Sequence, residues 1–184
     1  TPDGNTVKTT LSPEQRNYKI QRIDGLKSAM VTPPAAVLAR IKADGEAVRA
    51  ARKIDTPLGD FWQGFDWPAH GRISGVYGSQ RILNGQPRQP HYGIDIASPL
   101  GTPVYAPANG RITLVKDLYF SGWTIVMAHG LGVNSSFLHL DKTMVKPGAF
   151  VKRGSVIGTI GATGRATGPH LDWRIDWQGR RIDP

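Results

Sequence analysis

From about Asp66 onward, short runs of β-branched and aromatic residues alternate with glycine and proline at intervals of about 8–12 residues. Turn-forming groups, such as those at 107–110 and 146–148, separate the apolar runs. This pattern predicts an all-β domain. The candidate strands are 71–76, 93–97, 103–105, 110–117, 123–128, 133–138, 150–151, 156–160 and 171–176.

Residues 1–65 have a different residue pattern and are predicted to form an N-terminal extension to a domain at 66–184. The extension is polar and loop-rich at first, with one short extended candidate at 18–23. Thr32 and two prolines then supply an N-cap and a first turn, so a helix is predicted over residues 34–53.

The predicted helix has one apolar face and one basic face. The apolar residues at helical spacing are Val37, Leu38, Ile41, Val48 and Ala51. The basic residues Lys42, Arg49 and Lys53 lie on the other side. Such a charge run could bind an anionic polymer, but it is more often the solvated face of a helix.

Composition restricts the partners and the ligands. With 23 basic and 14 acidic residues the formal charge is +9, which favours negatively charged partners such as nucleic acid, envelope polymers or phospholipid head groups. The chain has no cysteine, so any metal must be held by histidine and carboxylate. No apolar run reaches the roughly 18 residues of a membrane-spanning helix. The chain begins without Met or a hydrophobic targeting segment, and we interpret it as a mature or trimmed product.

Most of the histidines cluster with aspartates in the second half of the chain, which predicts a metal site. His91 and Asp95 would lie roughly 13 Å apart on a straight strand with a rise of about 3.3 Å per residue. The chain must therefore bend between them, and Gly93 supplies conformational freedom for the bend. His170 and Asp172 are two apart on a predicted strand and so project from one face.

Five spaced motifs together resemble the LytM/lysostaphin-type M23 zinc metallopeptidases. They are HYGID at 91–95, APANG at 106–110, SFLHL at 136–140, GATG at 161–164 and GPHL at 168–171. The resemblance spans roughly residues 68–184. It implies an antiparallel β-sheet with an open groove, a single zinc ion, and cleavage of peptide bonds in bacterial peptidoglycan.

The resemblance also implies roles for individual residues. His91 and Asp95 would be metal ligands, and His139 and His170 would be the catalytic pair beside the metal-bound water. His139 follows an apolar run and is expected at the end of its strand. His129 matches a recurrent position that is not a ligand and is interpreted as structural.

One position departs from the family's closing His-x-His motif, because Asp172 stands where the second histidine is usual. Carboxylate is an accepted zinc ligand at about 2.0–2.2 Å, so we predict that Asp172 is the third ligand. The extra negative charge would make the metal a weaker Lewis acid and the general-base role of a histidine more important. If Asp172 points away from the metal instead, it would pair with Arg174 or orient a catalytic histidine.

Two other functions stay open at this point. A degenerate family member without metal could bind the cell wall or activate another hydrolase, although loss of catalysis leaves no chemical reason for four site residues to persist. The hairpin at 146–154 also resembles lipoyl and biotinyl carrier domains. A carrier needs a lysine at the hairpin tip, which Lys142 does not provide, and it would leave the histidines unexplained.

The loop at 81–88 and the N-terminal extension resemble envelope proteins of Gram-negative bacteria, which predicts a periplasmic or envelope location. They favour the D-Ala–diaminopimelate cross-link over pentaglycine as substrate. The expected partners are peptidoglycan peptides and an anionic envelope surface, without nucleic acid. Four arginines are candidates for binding peptide carboxylates, although each could equally be structural: Arg81, Arg88, Arg165 and Arg174.

Overall fold

The structure, a computed structural model, describes residues 4, 6, 8–10, 12, 15–57 and 59–184. The helices are α1 (Ser28–Val31), α2 (Ala35–Arg52) and a 3₁₀ helix at Asp60–Gln63. The strands are β1 (Ile20–Ile23), β2 (Arg72–Gly75), β3 (Gln80–Leu83), β4 (Gln86–Pro87), β5 (Ile94–Ala97), β6 (Pro103–Tyr105), β7 (Gly110–Leu118), β8 (Gly122–Gly130), β9 (Val133–Thr143), β10 (Phe150–Val151), β11 (Val156–Ile160), β12 (His170–Trp177) and β13 (Arg180–Ile182).

Ten strands form one antiparallel sheet, whose main path runs β10-β7-β8-β9-β12-β5-β2. β13 pairs with β12 at one side, and β11 pairs with both β9 and β6. A second, small sheet has the order β1-β3-β4, with β1 and β3 parallel. The predicted mainly antiparallel β fold with one main N-terminal helix is confirmed.

The core is formed by side chains from the long central strands and from the smaller strands. Its fully buried side chains include Ile96, Ile125, Phe137, Leu140 and Leu171. Ile125 and Phe137 are direct partners across β8 and β9, which joins two neighbouring strands through one apolar pair. Because Leu171 fills the core, its two neighbours on β12 must face the opposite side of the sheet.

Helix α2 packs on the sheet at β7 and β8. Arg52 in its last turn reaches the sheet, where it lies 2.9 Å from the buried Asp176 carboxylate and donates to Ser136 at 3.1 Å. Truncating one member of a buried ion pair is strongly destabilising. Arg52 and Asp176 therefore tie the extension to the centre of the sheet.

The predicted helix is confirmed within one residue at each end, but two details of the prediction are wrong. Pro34 holds the N-cap position, and Thr32 instead follows α1, which was not predicted. Leu38 is exposed, whereas Asp44 is buried because it accepts a hydrogen bond from the Tyr119 amide at 2.8 Å. None of the described helices is long and apolar enough to cross a membrane.

The basic face of α2 is solvated, as the charge pattern favoured. Its residues Lys42, Arg49 and Lys53 are exposed. The extended candidate at 18–23 is found as β1, which pairs with β3 over a sequence separation that no local pattern could reveal. The division of the chain between residues 65 and 66 stays a prediction.

Candidate metal centre

His91, Asp95 and Asp172 form a buried cluster in which one donor atom from each lies within 4.8 Å of the others. The Cα atoms of Asp95 and Asp172 are direct partners in the pairing of β5 with β12. His91 precedes β5, and its Nε2 lies 3.1 Å from Oδ1 of Asp95. The bend predicted between these two residues is therefore present.

The donor atoms of this cluster are better placed to bind a cation than to form hydrogen bonds with one another. Nε2 of His91 and Oδ1 of Asp95 lie 3.1 Å apart without the alignment of a hydrogen bond, and Nδ1 of His91 has no hydrogen-bond partner among the described residues. Buried polar atoms without partners are costly, so such atoms call for a missing ligand. Imidazole nitrogen and carboxylate oxygen are also the donors that zinc accepts in the absence of cysteine. The residues present fit a zinc ion.

Gly93 serves this centre by close packing. A β-carbon there would lie 2.6 Å from Oδ1 of Asp172 and 2.6 Å from the backbone oxygen of Trp173. Gly93 is not among the positive-φ residues, so the expectation that it supplies backbone freedom is wrong. Its hydrogen lets the segment between His91 and Asp95 lie directly against β12.

An arginine binds each carboxylate of the cluster. Arg81 on β3 pairs with Oδ2 of Asp95. Arg174 donates from Nε to Oδ1 of Asp172 at 2.9 Å and from Nη2 to Oδ2 at 2.5 Å. Burial by itself would raise the pKa of Asp172, but the Arg174 pairing outweighs burial and holds that pKa well below its usual range. Asp172 is therefore an ionised carboxylate in the cluster and also a partner of Arg174.

His139 stands beside the cluster in an unusual backbone conformation. The prediction that it ends its strand is wrong, because β9 continues to Thr143. The register of β8 and β9 shifts at this point, and His139 has a φ of 63°. A β-bulge that re-aims a side chain next to a functional site produces this geometry, and the sequence does not reveal it.

The two candidate catalytic histidines lie together, with ring centroids 4.8 Å apart. Nδ1 of His139 bonds to the carbonyl of Thr163 at 2.8 Å, and Nδ1 of His170 bonds to the carbonyl of Gly168 at 2.9 Å. A carbonyl only accepts, so Nδ1 carries the proton of each neutral ring and Nε2 has a free lone pair. Nε2 of His170 lies 4.0 Å from Oδ1 of Asp95.

Burial, followed by the neighbouring His170 ring, lowers the pKa of His139 to about 4. His139 is consequently neutral at neutral pH. A neutral imidazole with a free Nε2 can accept a proton from a nearby water.

His129 lies in β8, apart from the cluster, as its structural interpretation predicted. Its Nδ1 bonds to the carbonyl of Asn109 at 2.8 Å, and its Nε2 lies 2.8 Å from Oγ of Ser135. The ring is fully buried and packs edge-on against Phe65 at a centroid distance of 5.1 Å. Both ring nitrogens are thus used within the fold.

The four candidate substrate arginines are placed differently. Arg81 and Arg174 bind the cluster carboxylates. Arg88 donates to the carbonyl of Val31 at 2.8 Å and also binds a glutamine beside it. Arg165 has no carboxylate within ion-pair distance among the described residues.

Arg165 lines a cavity of about 460 Å³ between α2 and the sheet, which His139 and Asp172 also line. Its guanidinium lies 4.6 Å from the centre of the Phe120 ring and donates to a backbone carbonyl of α1 at 3.3 Å. Burial, followed by repulsion from Arg81, lowers the pKa of Arg165 to about 10. A desolvated cation among other cations favours an anionic ligand.

Sequence reasoning missed the groups that orient the two histidines. Thr163 orients His139 by its carbonyl, and its hydroxyl donates to the carbonyl of Leu140 at 2.8 Å. The carbonyl that orients His170 belongs to Gly168. Both residues lie inside the motifs at 161–164 and 168–171, so the motifs were the available signal. The contacts themselves use backbone carbonyls, which every residue type has, so residue type does not indicate them.

The antiparallel sheet and the His/Asp/Asp centre define the chain as a metallopeptidase-like domain, and the comparison with known families agrees. Residues 89–184, more than half of the chain, match Peptidase family M23. The chain belongs to this family, which confirms the resemblance.

Relatives and solved structures are similar to this chain over part of their length. Peptidoglycan DD-endopeptidase ShyB of Vibrio cholerae is 43% identical over 94 residues, which cover 51% of this chain and 22% of that protein. The crystal structure of a Pseudomonas aeruginosa protein assigned to peptidase M23 has a TM-score of 0.69 and 39% identity, covering 80% of this chain and 60% of that one. A zinc-containing peptidase from Vibrio cholerae has a TM-score of 0.61 and 36% identity, covering 65% of this chain and 38% of that one. The chain thus matches less than two thirds of the length of each.

Proposed function

We propose that this chain is a zinc-dependent endopeptidase that cleaves the D-Ala–diaminopimelate cross-links of peptidoglycan. The observation that carries the proposal is the convergence of His91, Asp95 and Asp172 within 4.8 Å beside a pair of histidines, with donor atoms of the first two outside any hydrogen bond. The similarity to a peptidoglycan DD-endopeptidase and to a zinc-containing peptidase supports it. Its substrate would place the chain in the periplasm or cell envelope.

His91, Asp95 and Asp172 would hold the zinc ion through three protein donors. A zinc ion bound there supplies the Lewis acidity that activates a water molecule and polarises the scissile carbonyl. Counted by the three ligands alone, the second carboxylate makes the set more negative than a set with two histidines, which would lower that acidity. A neighbouring proton acceptor then has greater importance for the reaction.

His139 and His170 would divide the proton transfer and the stabilisation of charge. His139 is neutral, and its Nε2 would take the proton of the attacking water. His170, when protonated on both ring nitrogens, would donate a hydrogen bond from Nε2 to the carbonyl oxygen as negative charge develops on it. The hydrogen bonds from Nδ1 to two backbone carbonyls hold both rings in position, so little reorganisation is needed during the reaction.

Arg165 supports diaminopimelate rather than pentaglycine as the substrate. A diaminopimelate residue keeps a free carboxyl group on its side chain, whereas glycine residues inside a bridge have none. A guanidinium binds carboxylate by two parallel hydrogen bonds, and Arg165 lines the same cavity as His139. We therefore assign Arg165 the role of holding a substrate carboxylate near the scissile bond.

The test is to incubate the purified chain, with zinc supplied, with peptidoglycan cross-linked through diaminopimelate, then to digest the glycan strands with a muramidase and to identify the fragments by mass spectrometry. Fragments with cross-linked stem-peptide dimers should be converted into fragments with monomeric stem peptides, and zinc should be present at close to one ion per chain. His91→Ala should remove both the zinc and the activity. His70→Ala, at an exposed histidine outside the cluster, is the matched control and should retain both.

A parent chain that binds no zinc and leaves the cross-links intact would contradict the proposal. The alternative would then be a degenerate member that binds the wall or activates another hydrolase. The specific observation on its side is that Arg81 and Arg174 already neutralise both carboxylates without an ion. Retention of the chain on intact peptidoglycan without cleavage would favour it.

A further inference from the structure

Asp172 and Arg174 form a two-point ion pair inside the metal centre. The guanidinium uses two of its nitrogens, which contact the two carboxylate oxygens at 2.9 Å and 2.5 Å. The residues are two apart on β12, so both project from the face opposite the core. Asp172 is completely buried, and Arg174 is therefore the partner that offsets its charge within the fold.

The pair changes the charge of the centre. An aspartate in place of a neutral histidine adds one negative charge to a ligand set. Arg174 adds one positive charge at hydrogen-bond distance, so the two residues together are neutral. His91, Asp95 and this pair consequently have the same formal charge as one aspartate with two histidines.

The pair also retains the capacity to bind a cation. Two carboxylate oxygens have about four lone-pair directions, and the fork of Arg174 uses one on each oxygen. An oxygen of Asp172 still lies within 4.8 Å of donors from His91 and Asp95. The carboxylate can thus accept from Arg174 and bind a metal ion at the same time.

Packing holds both members of the pair at one place. A β-carbon on Gly93 would come within 2.6 Å of Oδ1 of Asp172 and also within 2.6 Å of Cγ of Arg174. The backbone that connects His91 to Asp95 therefore lies directly against the pair. This contact links the segment with two of the candidate ligands to the third one.

We propose that Asp172 and Arg174 act together as one neutral metal-binding unit, in which Arg174 cancels the charge of Asp172. Arg174 is a positioning residue in this unit, because it acts through Asp172. The inference rests on the proposed function, since it requires a metal ion at the three candidate ligands. It predicts that restoring a histidine at position 172 alone does not restore an ordinary site, because Arg174 then becomes an unpaired cation beside the metal.

Zinc affinity and the melting temperature of the metal-free chain test the unit in four proteins: the parent, Asp172→His, Arg174→Gln and the double variant. Asp172→His should bind zinc at least about 10-fold more weakly, because an unpaired cation repels the ion. Arg174→Gln should bind zinc at least about 10-fold more tightly while its metal-free form melts at a lower temperature. The double variant should return to within about threefold of the parent in affinity.

If Arg174 acts by cancelling charge, the two single variants change zinc affinity in opposite directions. If the pair has only a structural role, both single variants bind zinc more weakly. Arg174→Lys keeps the charge and should bind zinc more like the parent than Arg174→Gln does. Arg180→Gln, at an exposed arginine on β13, is the control and should alter neither quantity.

A parent that binds zinc while Asp172→His binds it equally or more tightly would overturn this inference and leave the proposed function standing. Weaker binding by Arg174→Gln would also overturn it. A parent that binds no zinc would overturn the proposed function, and this inference with it.

Discussion

Asp95 and Asp172 lie directly opposite each other on the neighbouring antiparallel strands β5 and β12. Like charges at opposed positions destabilise a sheet, and here each carboxylate is bound by an arginine. Arg174 comes from the same strand as Asp172, whereas Arg81 comes from β3 of the small sheet. The N-terminal strand β1 supports β3, so the extension contributes to the electrostatic balance of the candidate metal centre.

His139→Ala should retain zinc but cleave cross-linked peptidoglycan roughly 10²-fold or more slowly, because the proton acceptor is lost and the candidate ligands are not. The measurements are metal content and the initial rate at which cross-linked stem-peptide dimers are converted to monomers. His70→Ala is the control for an imidazole elsewhere on the surface. An unchanged rate in His139→Ala would remove His139 from the mechanism.

Arg165→Gln should raise KM by about 10-fold or more and leave kcat within a few-fold of the parent, because it removes a charge-assisted contact to a bound carboxylate. The measurement is steady-state cleavage of a soluble cross-linked peptide dimer with diaminopimelate. Arg180→Gln controls for loss of one positive charge. If amidation of the substrate carboxylates raises KM equally in the parent and in Arg165→Gln, Arg165 does not bind them.

All strands of the main sheet except β13 could be predicted from residue patterns, because alternation and turn residues act locally. β3, β4 and β13 were missed because they are short. β3 also pairs with the distant strand β1, whereas β4 and β13 each pair with the strand just before them. Leu38 was assigned to the buried face of α2, but tertiary contacts draw Asp44 inward instead. The spacing of apolar residues shows which side chains a helix can bury. It does not show which contacts the neighbouring elements provide.

The candidate site was predictable to the extent that motifs identify it. From the sequence, only the resemblance predicted that five residues share one site: His91, Asp95, His139, His170 and Asp172. The fold places them together. Asp172 and Arg174 share a strand face at spacing two, so their pairing could be considered from the sequence. The contact of Arg81 with Asp95 could not be predicted from the sequence, because it joins two sheets.

Gly93→Ala and Gly45→Ala should change the free energy of unfolding in opposite directions. The new methyl at Gly93 meets Asp172 Oδ1 and backbone at 2.6 Å, and overpacking of this kind costs about 1–3 kcal/mol. Gly45 lies inside α2 and meets only the flexible end of Arg49 at 3.3 Å, so alanine there should stabilise by about 0.5–1 kcal/mol. Urea unfolding of the metal-free chain measures both.

The two variants should also differ in their affinity for zinc. Gly93→Ala should also weaken zinc binding, because the methyl displaces the segment that connects His91 to Asp95. Gly45→Ala should leave it unchanged. Parent-like stability and zinc affinity in Gly93→Ala would show that the segment does not pack against β12 in this way.

His129 should make the chain less stable as the pH falls from neutral towards 4. Burial lowers its pKa to about 4 in the folded state, against a usual value near 6.5 in an unfolded chain. Between these values the unfolded state binds more protons, so the stabilisation is present above about pH 6.5 and is lost as the pH falls towards 4. The loss attributable to His129 between pH 7 and pH 4.5 should be about 2 kcal/mol.

The measurement is the free energy of unfolding of the metal-free parent and of His129→Gln across this pH range. The variant should be less stable at neutral pH, because glutamine does not reproduce both contacts of the ring, to the Asn109 carbonyl and the Ser135 hydroxyl. Its stability should nevertheless fall less steeply with pH, since glutamine does not titrate. His139 and the carboxylates are present in both proteins, so the difference between the two slopes isolates His129. Equal slopes would show that His129 takes up its proton in the folded state as readily as in the unfolded chain.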